Sequence, residues 1–206
     1  MPVPEVLYPV SLVVAGRRCV VVGGGTVAAR KAAALVDAGA EVTVVAPAVC
    51  PEVRALPVRV DERPYRRADL DGTWLAIAAT DDPVVNRQVH ADGDEARVWV
   101  NAADDPGACA FTLPAVVRRG PVSVAVSTGG HSPALAGWLR DQIAAQFGPE
   151  LGRLAELLSE ARDQIRSAGR STEGLDWRKA LDSDMLELIR KGQVAQARER
   201  LQACLS

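Results

Sequence analysis

Between Cys19 and Lys31 the chain reads Cys-Val-Val-Val-Gly23-Gly24-Gly25-Thr26-Val27-Ala28-Ala29-Arg-Lys. A short apolar run enters three consecutive glycines, and an Ala-rich segment leaves them. The apolar run suits a strand buried on both faces. The glycines suit a tight turn, and the alanines suit a helix lying close to the strand. A strand, turn and helix in this order form the geometry that receives a dinucleotide pyrophosphate. In Gly23-x-Gly25-x-x-Ala28, Gly23 is expected to allow the sharp turn and Gly25 to let backbone N–H groups approach phosphate. Ala28 is expected to permit close helix–strand packing. The helix N-terminus adds partial positive charge toward the phosphates. Gly-rich turns also arise for steric reasons, and the setting between a strand and a helix is what gives this one its meaning.

The pattern continues along the chain. Arg18–Val22 is predicted as a strand, Val27 to Val36 as a helix stopped at Gly39, and Glu41–Val45 as a second strand ended by Pro47. Pro57–Val60 is a weaker third strand. Trp74–Ala79 is apolar throughout and reads as a central fourth. Asp82–His90 is a helix entered through Thr80-Asp81-Asp82, and Val98–Val100 is a fifth strand. Alternating strands and helices predict a parallel sheet covered on both faces. After Pro106 the character changes. Phe111–Val117 and Val122–Ser127 read as extended runs joined by a turn at 118–121. The second run alternates, which fits a small sheet with one face buried. Such a sheet is marginal alone and calls for a partner surface such as a second subunit. Ser132-Pro133 opens an amphipathic helix through Phe147, and 149–206 is helical in pattern, broken at 169–174 and near Gly192. The expected class is therefore α/β: a Rossmann-like parallel sheet over 1–113, a small dimerisation sheet within 114–148, and a helical C-terminal region over 149–206.

Composition narrows the function. A net charge of -2 gives no electrostatic case for nucleic acid or a membrane surface, so neither is expected as a partner. The four cysteines, Cys19, Cys50, Cys109 and Cys204, are widely spaced, and only His90 and His131 are present. A zinc cage, a disulfide framework or a resident metal site is not expected. No leader pattern or bilayer-length apolar run is visible, which points to a soluble cytoplasmic protein.

Ligands of open α/β sheets sit at the carboxyl ends of the strands. The second strand ends Val44-Val45-Ala46-Pro47-Ala48 without the acidic residue that holds an adenosine ribose, and without an arginine for a 2′-phosphate. That position leaves NAD against NADP open. NAD is the simpler choice, with backbone at Ala46, Pro47 and Ala48 holding the ribose. Thr80 follows the fourth strand and is a further cofactor contact; Asp82 reads as a helix cap. Asn101-Ala-Ala-Asp104-Asp105-Pro106 follows the fifth strand. A carboxylate there can remove a proton or steady a developing cation. Asp104 is the candidate, since Asp105 suits an Asp-Pro turn. Ser127-Thr128-Gly129-Gly130-His131-Ser132-Pro133 joins a strand to a helix. Its glycines permit close backbone approach, and its hydroxyls and helix start favour carboxylates. An ordinary capped connection explains the same pattern equally well. His131 belongs to the side-chain class that exchanges protons near neutrality, though a lone loop histidine usually lies at the surface. Arg118, Arg119 and Arg140 are either anion contacts or solvated charge.

Taken in order, these segments resemble a known family. They are the glycine turn with Ala-Ala-Arg-Lys, Gly39-Ala-Glu-Val-Thr-Val-Val-Ala-Pro47, Trp74-Leu-Ala-Ile-Ala-Ala-Thr-Asp-Asp82, Asn101-Ala-Ala-Asp104-Asp-Pro and Val124-Ala-Val-Ser-Thr-Gly-Gly-His-Ser-Pro-Ala134. Together they are similar to the siroheme-synthase amino-terminal module, the precorrin-2 dehydrogenase family. The likeness is close over residues 5–145 and looser in the helical tail. It implies an interlocked homodimer and NAD-dependent oxidation of precorrin-2 to sirohydrochlorin. It places NAD on Gly23, Gly24, Gly25, Thr26 and Val27 and gives Asp104 the catalytic role. It implies that Asn101, Ser127, Thr128, Gly129 and Gly130 meet the tetrapyrrole. Some members also insert Fe²⁺ as a substrate, and the motifs do not separate them from dehydrogenase-only members. In some relatives a methyltransferase domain follows; that activity is not expected within these 206 residues.

Two other readings compete. A non-enzymatic NAD(H)-sensing Rossmann regulator also couples a glycine turn to dimer helices. It usually keeps the acidic ribose contact and has no need of the loops at 101–106 and 127–133. An ordinary small-molecule dehydrogenase would keep the fold, but neither a Tyr-x-x-x-Lys pair nor a His–acid relay is evident.

Overall fold

The computed structural model describes residues 7–103, 105 and 109–205. The chain divides into two compact units, Met1–Leu113 and Pro114–Ser206.

In the first unit the chain runs through β1 (Arg18–Val22), α1 (Thr26–Asp37), β2 (Glu41–Ala46), α2 (Pro51–Arg54), β3 (Arg59–Glu62), β4 (Leu75–Ala78), α3 (Pro83–Ala96) and β5 (Trp99–Ala102). The five strands form one sheet in the order β3-β2-β1-β4-β5, every pair parallel. This is the Rossmann order, with its switch point between β1 and β4. Strand period explains the two cores. Val20 and Val22 pack with Val45, Ala76 and Val100 on one face, while Cys19 and Val21 pack with Val44, Ile77 and the helix residues Ala28 and Ala32 on the other. Burial pushes the Cys19 thiol up to about 11.

The expected strands stand, with shifted bounds. Val98 is not in the fifth strand, because its N–H closes α3 by donating to the Gly93 carbonyl (2.9 Å). β5 starts one residue later and runs on through Asn101 and Ala102, paired with Ile77 and Ala78. The third strand begins at Arg59, opposite Thr43, because α2 and the turn after it occupy the preceding residues. A 3₁₀ turn over Arg67–Leu70 is a further short element that periodicity did not show. Within it Asp69 is held by Arg63 at 2.6 and 2.9 Å. Burial works against the Asp69 carboxylate, but the Arg63 guanidinium holds its pKa below the usual value.

The second unit starts with the antiparallel hairpin β6 (Ala115–Arg119) and β7 (Val122–Val126). Helices α4 (Pro133–Gln146), α5 (Glu150–Ser167), α6 (Trp177–Leu181), α7 (Met185–Arg190) and α8 (Val194–Leu205) follow. The hairpin and the later helices lie within this one compact unit. Phe111 stays with the first unit, and Arg118 and Arg119 complete β6 instead of turning, so the turn shrinks to Gly120 and Pro121. A Cβ on Gly152 of α5 would lie 2.7 Å from the Arg119 carbonyl oxygen, which shows how closely α5 crosses the hairpin end. Leu154, Leu157, Met185, Ile189, Leu201 and Leu205 form a separate helical core. Among the described residues no helix is long and apolar enough to cross a membrane, and no group of three or more His, Cys, Asp or Glu side chains is placed to hold a metal.

Candidate active site

The three glycines at the carboxyl end of β1 differ in what the chain demands of them. Gly23 has φ +129°, and a Cβ there would overlap the Ala79 carbonyl at the end of β4. The two strands at the switch point therefore touch through this residue. Gly24 is fixed by space: a Cβ would overlap the Ala48 carbonyl and lie 3.0 Å from the Ala46 Cβ. Its own carbonyl accepts the Cys50 N–H at 2.8 Å, so the stretch after β2 is laced onto the glycine turn. This brings Ala46 and Ala48 beside Gly24, with Pro47 between them. Ala46 is buried, while Pro47 and Ala48 are exposed.

Gly25 is the exception. Its φ of −84° and ψ of −176° are open to any residue, and a Cβ would meet nothing within 4 Å. Neither backbone nor packing requires glycine there. It is also the N-cap of α1, with no side-chain cap bond and no acidic residue in the first turn. Thr26 and Val27 beside it are exposed, whereas Ala28, Ala29 and Ala32 are buried against the sheet. An uncapped helix start with an open, side-chain-free approach suits an anion. A dinucleotide pyrophosphate therefore fits the residues present.

Thr80 lies after β4, next to the Gly23 contact. A buried residue that the motifs did not reveal, Asn86 of α3, fixes it. Asn86 Oδ1 accepts the Thr80 N–H (3.2 Å) and hydroxyl (2.8 Å), and Asn86 Nδ2 donates to the Thr80 carbonyl (3.0 Å). The available signal was an amide among the apolar positions Val85 and Val89. Asp82 caps α3 as expected, accepting the Val84 N–H at 2.7 Å.

Asn101 requires correction. It lies inside β5 and not in the loop after it, 8% exposed, with its amide nitrogen donating to the Phe111 carbonyl at 2.9 Å and to Cys109 Sγ at 3.4 Å. Cys109 in turn donates to the Ala102 and Asp105 carbonyls, each at 3.2 Å. This knot folds the chain after β5 back along the strand, and burial raises the Cys109 pKa. Asp104 lies outside the described residues.

The remaining candidates belong to the second unit. Ser127, Thr128, Gly129 and Gly130 form the loop between β7 and α4, with φ +60° and +84° at the glycines. Ser127 Oγ accepts the Gly129 N–H (3.2 Å); Thr128 Oγ1 accepts the Ser132 N–H (3.1 Å) and donates to the Ser132 carbonyl (3.0 Å). Ser132 Oγ caps α4 through the Leu135 N–H. The hydroxyls thus shape the loop first. Arg119 is no anion contact: its guanidinium donates to the Phe147 and Ala144 carbonyls (2.8 and 2.9 Å) and closes the end of α4. Arg140 pairs with Asp141 at 2.7 Å.

Comparison with known proteins agrees with this geometry. A family model described as "Putative NAD(P)-binding" matches residues 10–115, and one described as "Sirohaem biosynthesis protein central" matches residues 119–146. The siroheme synthase of Thioalkalivibrio sulfidiphilus is 41% identical over 204 residues, covering 96% of this chain and 42% of that protein. The siroheme synthase of Tolumonas auensis is 42% identical over 177 residues, covering 84% and 38%. The chain thus spans about two-fifths of the length of these curated relatives. A solved structure titled "SirC, precorrin-2 dehydrogenase" superposes with a TM-score of 0.70 at 28% identity, covering 96% of this chain and 98% of that one. The glycine turn, the strand order and these matches agree: the chain belongs to the NAD(P)-binding family of siroheme biosynthesis, that of the siroheme-synthase amino-terminal module and precorrin-2 dehydrogenase.

Proposed function

We propose that the chain oxidises precorrin-2 to sirohydrochlorin with NAD as the oxidant. The observation that carries this reading is Gly25, a glycine that nothing among the described residues requires, at an uncapped helix start on the switch point of a Rossmann sheet. The sheet supplies the frame, and the backbone N–H groups at the start of α1 hold the pyrophosphate. NAD, when bound, supplies the acceptor for the substrate's hydride. Preference for NAD over NADP follows from the neighbourhood of β2. Glu62 lies beside Ala46 in the sheet, and Arg54 is tied to it by two hydrogen bonds of 2.9 and 3.1 Å. That guanidinium is engaged by a carboxylate, which disfavours its use as a phosphate contact.

Asp104 is assigned the catalytic carboxylate, managing the proton that the macrocycle gives up as it loses hydride. Ser127, Thr128, Gly129 and Gly130 are assigned to the tetrapyrrole side. Two copies of the chain assemble on the hairpin and α4, where Ser123 and Ala125 of β7 are exposed and Leu135 and Trp138 are 47% and 57% exposed. Apolar surface of this kind on a two-stranded sheet is what a partner subunit covers. Iron insertion is a separate activity, with Fe²⁺ as substrate.

The test is anaerobic incubation of the purified chain with precorrin-2 and NAD, following sirohydrochlorin by absorbance; Fe²⁺ added afterwards reads metal insertion. Asp104→Ala is expected to keep NAD affinity and lose about 100-fold or more in turnover. Wild-type turnover by that variant removes Asp104 from the mechanism, and an unchanged precorrin-2 spectrum with the wild-type chain removes the activity.

A further inference from the structure

Thr80, at the carboxyl end of β4, keeps no hydrogen for a ligand. Its backbone N–H donates to Asn86 Oδ1 (3.2 Å), and its carbonyl accepts from Asn86 Nδ2 (3.0 Å). A backbone N–H only donates and a carbonyl only accepts, so these two bonds fix which way the Asn86 amide faces. The Thr80 hydroxyl has one hydrogen and two acceptors beside it, Asn86 Oδ1 at 2.8 Å and the Asp82 carbonyl at 3.0 Å. It also accepts the Asp82 N–H at 3.2 Å. Whichever acceptor holds the hydrogen, Thr80 can still offer only a lone pair on its hydroxyl and one on its carbonyl. Asn86 is 6% exposed, and a buried amide is tolerated when its donors and acceptor are matched, as they are here by this one residue. The first two residues of α3 add no donor: Pro83 has no N–H, and that of Val84 goes to Asp82 Oδ1. Asp81 and Asp82, both exposed, add carboxylates. The end of β4 is therefore an accepting surface, whereas the start of α1 is a donating one.

The two surfaces adjoin within the first unit. A Cβ on Gly23 would stand 3.2 Å from the Thr80 nitrogen. In the strand order, β2, whose end is assigned the adenosine ribose, lies on one side of β1 and β4 on the other. The half of the cofactor beyond the pyrophosphate belongs to the β4 side, and its nicotinamide ring carries a carboxamide, whose NH₂ group is a donor. We infer that Asn86 is a positioning residue for cofactor choice: it leaves Thr80 with acceptors alone, and these select a ring bearing the carboxamide over one bearing a carboxylate. The inference rests on the NAD-dependent function proposed above. A carboxylate has no hydrogen to give, meets only lone pairs at Thr80 and stands beside two like charges. Asn86 acts through Thr80 and takes no part in hydride transfer.

Nicotinic acid adenine dinucleotide differs from NAD only in that carboxylate, and it is the probe. Calorimetric titration of the purified chain with each dinucleotide is expected to show NAD bound about tenfold or more tighter. Asn86→Ala frees both Thr80 donors and is expected to bring the two affinities within about threefold of each other. A merely structural Asn86 would weaken both dinucleotides alike and leave their ratio at the wild-type value. Should Asn86→Ala fail to fold or to bind, Thr80→Val makes the same comparison: it removes the hydroxyl acceptor and is expected to lower the affinity for NAD more than that for the acid form. Thr80→Ser, which restores the hydroxyl, is expected to restore the preference. Equal affinities in the wild-type chain, tighter binding of the acid form, or a wild-type ratio in the deciding variant overturns the inference and leaves the dehydrogenase reading intact. A wild-type chain that binds neither dinucleotide defeats that reading itself.

Discussion

Gly23, Gly24 and Gly25 are adjacent and chemically identical, yet three different pressures hold them. Gly23 answers to its positive φ and to Ala79, Gly24 to the Ala48 carbonyl, and Gly25 to nothing among the described residues. The substitution Gly25→Ala is therefore expected to separate folding from binding. Its Cβ enters open space, so stability falls by less than about 1 kcal/mol, the cost of a poorer helix cap. If the pyrophosphate lies on this turn as proposed, the same Cβ obstructs it, and NAD binding is expected to weaken about tenfold or more, some 1.4 kcal/mol. Calorimetric titration beside thermal unfolding reads both, and unaltered NAD affinity argues against the cradle. Gly24→Ala loses both properties together. The turn at Gly23 and the open backbone at Gly25 were legible in the chain, but the close contacts of Gly23 with Ala79 and of Gly24 with Ala48 were not, because those partners are distant in sequence. Asn101 shows the same limit more sharply. A polar residue after an apolar run reads as a loop ligand, but the strand continues through it and its amide ties down Phe111.

Four helix ends share one device. Gly39, Arg97, Gly169 and Gly192 each close a helix with a left-handed residue. In each case that residue's N–H and the next one donate back into the last turn, as in Gly39 to Val36 (2.8 Å) and Ala40 to Leu35 (3.0 Å). Three of these residues are glycine; Arg97, at φ 58°, bears the steric cost of its Cβ. Arg97→Gly is expected to raise stability by about 0.5–1 kcal/mol, read as a higher urea midpoint at constant slope. A lower midpoint would show that the Arg97 side chain outweighs its backbone. The glycine stops were readable because the residue type announces the conformation. The arginine stop was not, and the expected fifth strand consequently began one residue early. Buried apolar runs such as Val20–Val22 and Leu75–Ala78 were readable as strands because central parallel strands are apolar on both faces. The short α2 carries too few residues to show a period.

At the scale of the molecule, the two-stranded sheet is the part least able to stand alone. Its exposed β7 positions and the apolar Leu135 and Trp138 on α4 predict a dimer in solution. Light scattering with size-exclusion chromatography is expected to give twice the chain mass for wild type and the monomer mass for Leu135→Glu with Trp138→Glu. A monomeric wild type contradicts the assembly. The hairpin was legible in the alternation of β7, whereas the inward duty of Arg119 was not, since a surface arginine and a helix-closing one look alike in sequence. If the glycine turn holds the oxidant, every substrate molecule delivers one hydride to NAD, and that hydride can be counted. Purified chain, precorrin-2 and excess NAD are mixed without oxygen, and NADH and sirohydrochlorin are quantified together. Both are expected to appear at equal rates in a one-to-one ratio. Sirohydrochlorin forming without NADH, or neither forming while NAD is bound, would contradict it.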